Sequence, residues 1–232
     1  RELDSHMMKN TEWGSVAYLQ RSKYGSGASV RINNNSAHIT GYAGTEEPTL
    51  GYAGGTSTAG NRIESTALGV DATYSVNYLN SKSLVASTTN NYSGIYDMSG
   101  GAWEYVMGYT TGATTVGGSS GITSLYPNFF SNSAYSKYWD RYTSTVNTNY
   151  NNRILGDATG EMGPFGSEKD SDNNTRYKSS WYKDHAWFAN SSGNLLLRGG
   201  GWHDGTSTGV FAFNGNSGGT NTNISFRIVL AP

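Results

Sequence analysis

Three consecutive glycines, Gly199 to Gly201, constrain the fold more than any other feature of the chain. They follow a short apolar segment that ends at Arg198, and they precede Trp202. Because glycine has no Cβ, such a run allows tight turns and close approach of one backbone to another. A stretch of Asn, Gly, Thr, Ser, His and Phe follows, and the chain then closes on the strand-like residues 226–230. This arrangement predicts a rigid frame that displays a variable surface, which is typical of a binding protein and not of a metabolic enzyme.

The composition narrows the class of protein. A length of 232 residues suits one large domain or two small ones, and we favour a single domain. Charged residues make up 14% and the net charge is −1, which argues against nucleic acid as a partner because Lys and Arg supply most of that affinity. No apolar stretch approaches the roughly 20 residues that cross a bilayer, so membrane insertion is not expected. The absence of cysteine excludes a disulfide framework and thiol catalysis.

Apolar periodicity predicts two helices. The first covers residues 11–24 and packs against a sheet; it rests on the positions Trp13, Val16, Ala17, Gln20 and Tyr24. The second covers residues 125–142 and presents a broad aromatic face to the core; it rests on Phe129, Phe130, Tyr135, Tyr138, Trp139 and Tyr142.

Short strands are predicted elsewhere. Residues 90–108 join a tight turn to a strand, and further strands fall at about 194–199, 209–213 and 224–230. In the last of these, Phe226, Ile228 and Leu230 alternate with Arg227 and Val229. Such alternation is expected of a strand with its apolar face on the core.

The first residues bear on where the domain begins. Residues 1–7 are either the remnant of a tag or a native linker, and residues 8–232 form the single domain, with a variable region at about 198–227. Because the chain opens on Arg1, we expect a fragment of a longer protein.

Two segments resemble one family. Residues 96–106, which read YDMSGGAWEYV, resemble the D-M-x-G-N-V-W-E-W signature of the formylglycine-generating enzyme family. Residues 197–202 and 224–228, which read LRGGGW and ISFRI, resemble its R-G-G-S-W and I-G-F-R ending in the same order. The resemblance implies an α+β, C-type lectin-like fold with a small twisted antiparallel sheet, two helices and extensive irregular loops.

The resemblance also implies a structural calcium ion. By motif position its ligands would be the side chains of Asp97 and Glu104 and the backbone carbonyls of Gly100 and Ala102. Carboxylate and carbonyl oxygens suit this hard cation. The alternative is that both carboxylates bond turn amides and hold no ion.

The chain departs from the enzymes of this family at the catalytic positions. The formylglycine-generating enzymes use paired cysteines, and this chain has none. The related sulfoxide synthases bind iron through a His-x-x-x-His-x-Glu arrangement, and no pair of His6, His38, His185 and His203 has that spacing. We therefore expect no catalytic residue and no catalytic cofactor.

A non-catalytic branch fits better, because the ending resembles the target proteins of diversity-generating retroelements. Those proteins display residues whose Asn codons, AAC or AAT, are randomised at the adenines. Such codons cannot yield Lys, Glu, Gln, Met or Trp, and residues 203–225 contain none of these five types. The alternative is a Gly- and Asn-rich loop selected for turn geometry alone.

The segment divides into displayed and supporting positions. The frame, which anchors the core and allows close backbone approach, is Gly199, Gly200, Gly201, Gly205, Gly209, Val210, Ile224, Phe226 and Arg227. The predicted display positions are Trp202, His203, Asp204, Thr206, Ser207, Phe211, Phe213, Asn214, Asn216, Ser217, Thr220, Asn221, Thr222 and Asn223. Phe211 and Phe213 share strand parity: outward they would be binding anchors, inward they would be core.

These features predict a ligand-binding domain at a virion tail or bacterial cell surface, with a protein or glycan receptor as partner and oligomers allowed. Small polar residues around aromatic anchors resemble antibody-like binding surfaces. Two alternatives remain at this point: an enzyme relative with altered chemistry, and a constant structural decoration module.

Overall fold

The structure is a computed structural model, and it describes residues 4–27, 30–36, 40–41, 84, 86–91, 93–111, 128–143, 154–159, 166–169, 175–178, 184–187 and 195–231. Helix and sheet are both present, so the α+β class is confirmed. The helix α1 is Asn10–Arg21. The strands are β1 (Asp4–Met7), β2 (Trp103–Thr111), β3 (Asp140–Thr143), β4 (Gly166–Lys169), β5 (Thr175–Lys178), β6 (Leu195–Arg198), β7 (Phe213–Asn216), β8 (Ile224–Phe226) and β9 (Ile228–Ala231).

The predicted first helix is confirmed over most of its length. It begins at Asn10 because the Glu12 carboxylate accepts the backbone N–H of Lys9 at 2.8 Å, which satisfies a donor at the helix start. It ends at Arg21, not at Tyr24, because the Ser22 side chain and backbone N–H both bond the carbonyl of Leu19. Tyr24 therefore lies outside the helix and is 76% exposed.

The main sheet has five strands with β2 at its centre. On one side β6 pairs antiparallel with β2, and β7 pairs antiparallel with β6. On the other side β8 and β3 both pair parallel with β2. The sheet is therefore mixed: the expected antiparallel pairing is present in β2–β6 and β6–β7, and the expectation is wrong for β2–β3 and β2–β8. The two parallel pairs arise because β3 and β8 reach β2 through long connections and not through tight hairpins.

The core lies between α1 and one face of this sheet. Trp13 is fully buried there with Val106, Leu196 and Phe213. Its indole N–H donates to the carbonyl of Val210 at 2.7 Å, so the ring fills the core without leaving a buried donor unpaired.

The predicted second helix is wrong for the residues that the structure describes within it, and its first positions, 125–127, lie outside them. Residues Ser133–Tyr138 form a 3-10 helix that begins where the Asn132 side chain accepts the N–H of Ala134 at 2.9 Å. The chain then enters β3, because Tyr142 is buried in the core. The aromatic residues pack around Tyr109: its ring centroid lies 4.0 Å from that of Phe130 and 5.2 Å from that of Trp139.

The C-terminal strands differ from the prediction in position and in face. The strand expected at 209–213 is β7, and the one expected at 224–230 breaks at Arg227 into β8 and β9. The predicted core face is wrong: Phe226, Ile228 and Leu230 are 58%, 62% and 64% exposed. Val229 packs on the core, and the guanidinium of Arg227 forms an ion pair with the buried Glu104 carboxylate. That pair requires Arg227 to point inward, so its neighbours along the strand point outward.

The segment expected to be a tag remnant or a linker forms β1 over residues 4–7, which pairs antiparallel with β9. His6 Nε2 lies 2.9 Å from Glu12 Oε1 and connects this strand to α1. A further two-stranded sheet pairs β4 with β5. In the described part of the chain, no helix has the length and apolar character needed to span a membrane.

The buried indole of Trp13 yields the first prediction. Trp13→Ala should lower the free energy of unfolding by about 3–5 kcal/mol, because the change opens a large cavity and removes the bond to Val210. Leu19→Ala is the matched control on the same helix, since Leu19 is 57% exposed. Urea unfolding of both variants measures the difference; equal losses would contradict the packing described.

Candidate functional site

The two family-like motifs meet in space. The N–H of Gly100 donates to the carbonyl of Gly199 at 3.1 Å, and the N–H of Trp202 donates to the carbonyl of Gly101 at 2.7 Å. Gly100 has a φ of +83°, and a Cβ there would lie 2.3 Å from the carbonyl oxygen of Asn33. A side chain is therefore excluded at this position, and the close backbone approach predicted from the glycine run is present.

The turn at residues 208–212 is held by hydrogen bonds from buried side chains. The carbonyl of Val210 accepts the Trp13 indole N–H and also lies 3.4 Å from a guanidinium nitrogen of Arg198. Arg198 is fully buried, with its guanidinium carbon 5.7 Å from the ring centroids of Trp13 and Phe213. Burial lowers the pKa of Arg198 to about 10, against the opposing attraction of Asp157.

A segment that the sequence did not single out pairs with the edge of the same region. The N–H of His185 donates to the carbonyl of Ser207 at 2.7 Å, the N–H of Phe213 to that of His185 at 2.9 Å, and the N–H of Trp187 to that of Phe213 at 3.0 Å. Residues 184–187 thus run beside β7. No pattern in these four residues indicates such a pairing, because it depends on a non-local contact.

Asp184 is the buried anchor of this segment. Its Oδ2 accepts the N–H of Phe211 at 3.0 Å, and a Cβ on Gly209 would lie 2.2 Å from the same oxygen. Burial raises the pKa of Asp184 to about 8, and the bond from Phe211 and the attraction of Arg198 only partly oppose that rise. Asp184 therefore stays protonated in the folded chain at neutral pH.

The predicted display positions fall into three groups by exposure. Those that are exposed are Ser217, Thr220, Asn221 and Thr222. Those that are half-buried are Trp202, His203, Asp204, Ser207, Asn214, Asn216 and Asn223. Those that are buried are Phe211 and Phe213, at 2% and 0% exposure. The side chain of Thr206 lies outside the described part of the chain.

The burial of Phe211 and Phe213 decides the question that their parity left open. Both belong to the core cluster that packs against α1. The inward alternative therefore holds, and neither ring contacts solvent enough to act as a binding anchor.

Several display positions also support the backbone. Asp204 Oδ2 accepts the N–H of Gly201 at 2.7 Å, and the His203 ring centroid lies 5.1 Å from that of Trp202. The amide oxygen of Asn216 accepts the hydroxyl of Tyr105 at 2.6 Å. Burial raises the pKa of that Tyr105 hydroxyl to about 12, so it remains a donor at neutral pH.

The turn before β8 is hydrogen-bonded to the central strand β2. The carbonyl of Asn223 accepts the N–H of Trp103 at 2.9 Å, and Ile224 stands in register with Trp103. Turns around residues 201–204, 216–219 and 221–223 are thus tied to β2 or to the glycine turn beside it. We call the sheet face opposite α1, which carries Tyr105, Leu197, Asn214 and Asn216, the display face.

The predicted calcium ligands have internal partners. Both oxygens of the Glu104 carboxylate bond the guanidinium of Arg227, and Asp97 Oδ1 accepts from Asn33 Nδ2 at 2.9 Å and from the N–H of Gly41 at 3.1 Å. Burial raises the pKa of Glu104, and Arg227 opposes the rise. The Glu104 carboxylate thus already has a cationic partner in Arg227. Calcium stays a prediction.

The histidines form no metal site in the part of the chain that is described. His6 contacts Glu12, His185 packs edge-on against Trp103 with ring centroids 5.9 Å apart, and His203 contacts Trp202. His38 lies outside the described residues. Across the described ranges, no group of three or more His, Asp or Glu side chains is placed to hold a metal ion.

Comparisons with family models and with curated proteins give no match for this chain.

The Glu104–Arg227 pair yields a stability prediction. Glu104→Gln should cost about 3–5 kcal/mol, because it leaves the charge of Arg227 without its buried partner. The matched control is Lys137→Met, which breaks the solvent-exposed pair with Asp4 and should change stability little. Urea unfolding gives both values.

A melting temperature that calcium raises in the wild type and leaves unchanged in Glu104→Gln would support the predicted calcium site.

The protonated Asp184 yields a pH prediction. Its pKa is 3.8 in the reference state and about 8 in the folded chain. Between these values only the unfolded chain releases the proton, so this carboxyl should lower stability progressively as pH rises from about 4 to about 8. Asp184→Asn removes this dependence. Unfolding free energies of both chains at pH 5 and pH 8 test it: parallel pH profiles would show that Asp184 is not protonated in the fold.

Proposed function

We propose that this chain is a non-catalytic, C-type lectin-like domain that binds a ligand through a hypervariable surface generated by a diversity-generating retroelement. The observation that carries the proposal is the division of residues 203–225. The predicted frame positions Gly205, Gly209 and Val210 are buried, whereas Ser217 and the turn 220–222 are exposed. Side chains on these turns can change without disturbing the core.

The physical logic resembles that of an antibody binding site. Small polar side chains with adaptable hydrogen bonds stand on a backbone that is held from beneath. Arg198, Asp184 and Trp13 provide that support through bonds to the 208–212 turn. Because a rigid backbone loses little entropy on binding, side-chain exchange alone can change specificity.

The setting and partner belong to the same proposal. We place the domain at a virion tail or a bacterial cell surface, where it binds a protein or glycan receptor, with oligomers allowed. A variable surface has value in such a place because the receptor itself changes.

Deep sequencing of this locus across a population of the source tests the proposal. Substitutions should concentrate at the exposed positions Ser217, Thr220, Asn221 and Thr222. Gly209, whose Cβ would meet Asp184, should not vary, and neither should the buried Phe211 and Phe213.

Equal constancy of residues 203–225 and their flanks would contradict the proposal and favour the structural decoration module. Metal analysis of the purified chain would then separate that module from the enzyme relative, since bound iron or copper would favour the latter.

A further inference from the structure

The structure points to a partner of one class. We infer that the ligand is a protein, and that two aromatic side chains outside the segment 203–225, Phe226 and Trp187, anchor it at opposite edges of the display face. This inference rests on the proposed function and names the class of ligand for the same surface.

Phe226 and Trp187 lie at the two ends of one row of residues that crosses the strands of the sheet. Phe226 is in register with Tyr105, Tyr105 with Leu197, and Leu197 with Asn214. Ala186 pairs with Phe213 in a parallel bridge, which places Trp187 beside Asn214. Residues in register point to the same face of a sheet. With neighbouring strands about 4.8 Å apart, the row spans roughly 19 Å from Phe226 to Trp187.

This row faces away from α1. Ala186 and Phe213 are both buried in the core cluster around Trp13. Successive residues of a strand point to opposite faces, so Trp187 and Asn214 lie on the other side of the sheet. The packing of Leu197 against Trp103 and Tyr105 in a separate cluster agrees with this orientation.

Exposure distinguishes the ends of the row from its middle. Phe226 is 58% exposed and Trp187 is 38% exposed, whereas Leu197 is 3% exposed. The row therefore has an exposed aromatic ring at each end and a buried apolar residue, Leu197, in its middle. Beyond Phe226, Ile228 and Leu230 on β9 are exposed as well.

The mutagenesis explains why a Trp anchor must be constant. Trp dominates binding hot spots together with Tyr and Arg. Randomised AAC and AAT codons can produce Tyr, Phe and Arg but not Trp, so a Trp anchor has to come from a constant position. With Phe211 and Phe213 buried, a constant Trp187 beside Asn214 provides what the variable positions lack.

The chemistry of the face favours a protein over a glycan. Three exposed apolar side chains alternate along the end of the chain, and exposed apolar surface of this kind is typical of protein contacts. The amide oxygen of Asn216, which could bond sugar hydroxyls, already accepts from Tyr105 and from the N–H of Gly218. Between residues 199 and 226 Asp204 is the one charged residue, so this segment itself offers no Lys or Arg to an acidic ligand.

A display experiment with the whole chain tests the inference. A yeast-displayed library varies Asn214, Ser217, Thr220, Asn221 and Thr222, and it is selected in parallel on purified lysozyme and on maltoheptaose, as a defined protein and a defined neutral glycan. Each binder is then remade with Phe226→Ser or Trp187→Ser. Tyr24→Ser, which removes a 76% exposed ring just beyond α1, is the matched control.

We expect lysozyme binders whose Kd rises about tenfold or more with either anchor substitution and stays unchanged with Tyr24→Ser. Melting temperatures should remain close to the parent's, which separates lost contact from lost folding. Lysozyme binders indifferent to both anchor substitutions would overturn the inference and leave the proposed function standing. Anchor-dependent binders to maltoheptaose alone would overturn the choice of a protein. Failure to obtain any binder would count against the proposed function as well.

Discussion

The orientation of the C-terminal strands depends on one buried ion pair. Arg227 bonds both oxygens of Glu104 and also donates to the carbonyls of Tyr96 and Asp97, so it joins the central strand, the turn before it and the end of the chain. A carboxylate buried in the sheet requires such a partner. Because Arg227 must point inward, Phe226 and Ile228 point to solvent.

A second constraint acts on the turn at 208–212. Trp13 and Arg198 bond the carbonyl of Val210, and the buried Asp184 bonds the N–H of Phe211. The turn is thus held by side chains distant in sequence, so it does not depend on the side chains of the later turns. Such support from outside the segment is what the proposed variable surface requires.

Sequence patterns predicted correctly those features that depend on residues close together in the chain. The spacing around Trp13 gave the helix, the run Gly199–Gly201 gave the close approach to Gly100, and the apolar residues before Arg198 gave β6. The helix predicted at 125–142 from its aromatic residues was wrong, because rings at helical spacing can also pack together in a cluster without forming a helix. There Asn132 starts a 3-10 helix and the burial of Tyr142 draws the chain into β3. The segment 184–187 carried no signal at all.

The sequence by itself determined the class of the fold, the places where only glycine is tolerated, and a segment free of Lys, Glu, Gln, Met and Trp. Tertiary structure alone decided which face of each strand meets solvent. Alternation specifies that two faces differ, but the burial of Arg227 with Glu104 and of Phe213 beneath the sheet determines which is which. That choice is non-local, because each partner lies far away along the chain, and it turns a predicted core residue, Phe226, into part of the surface.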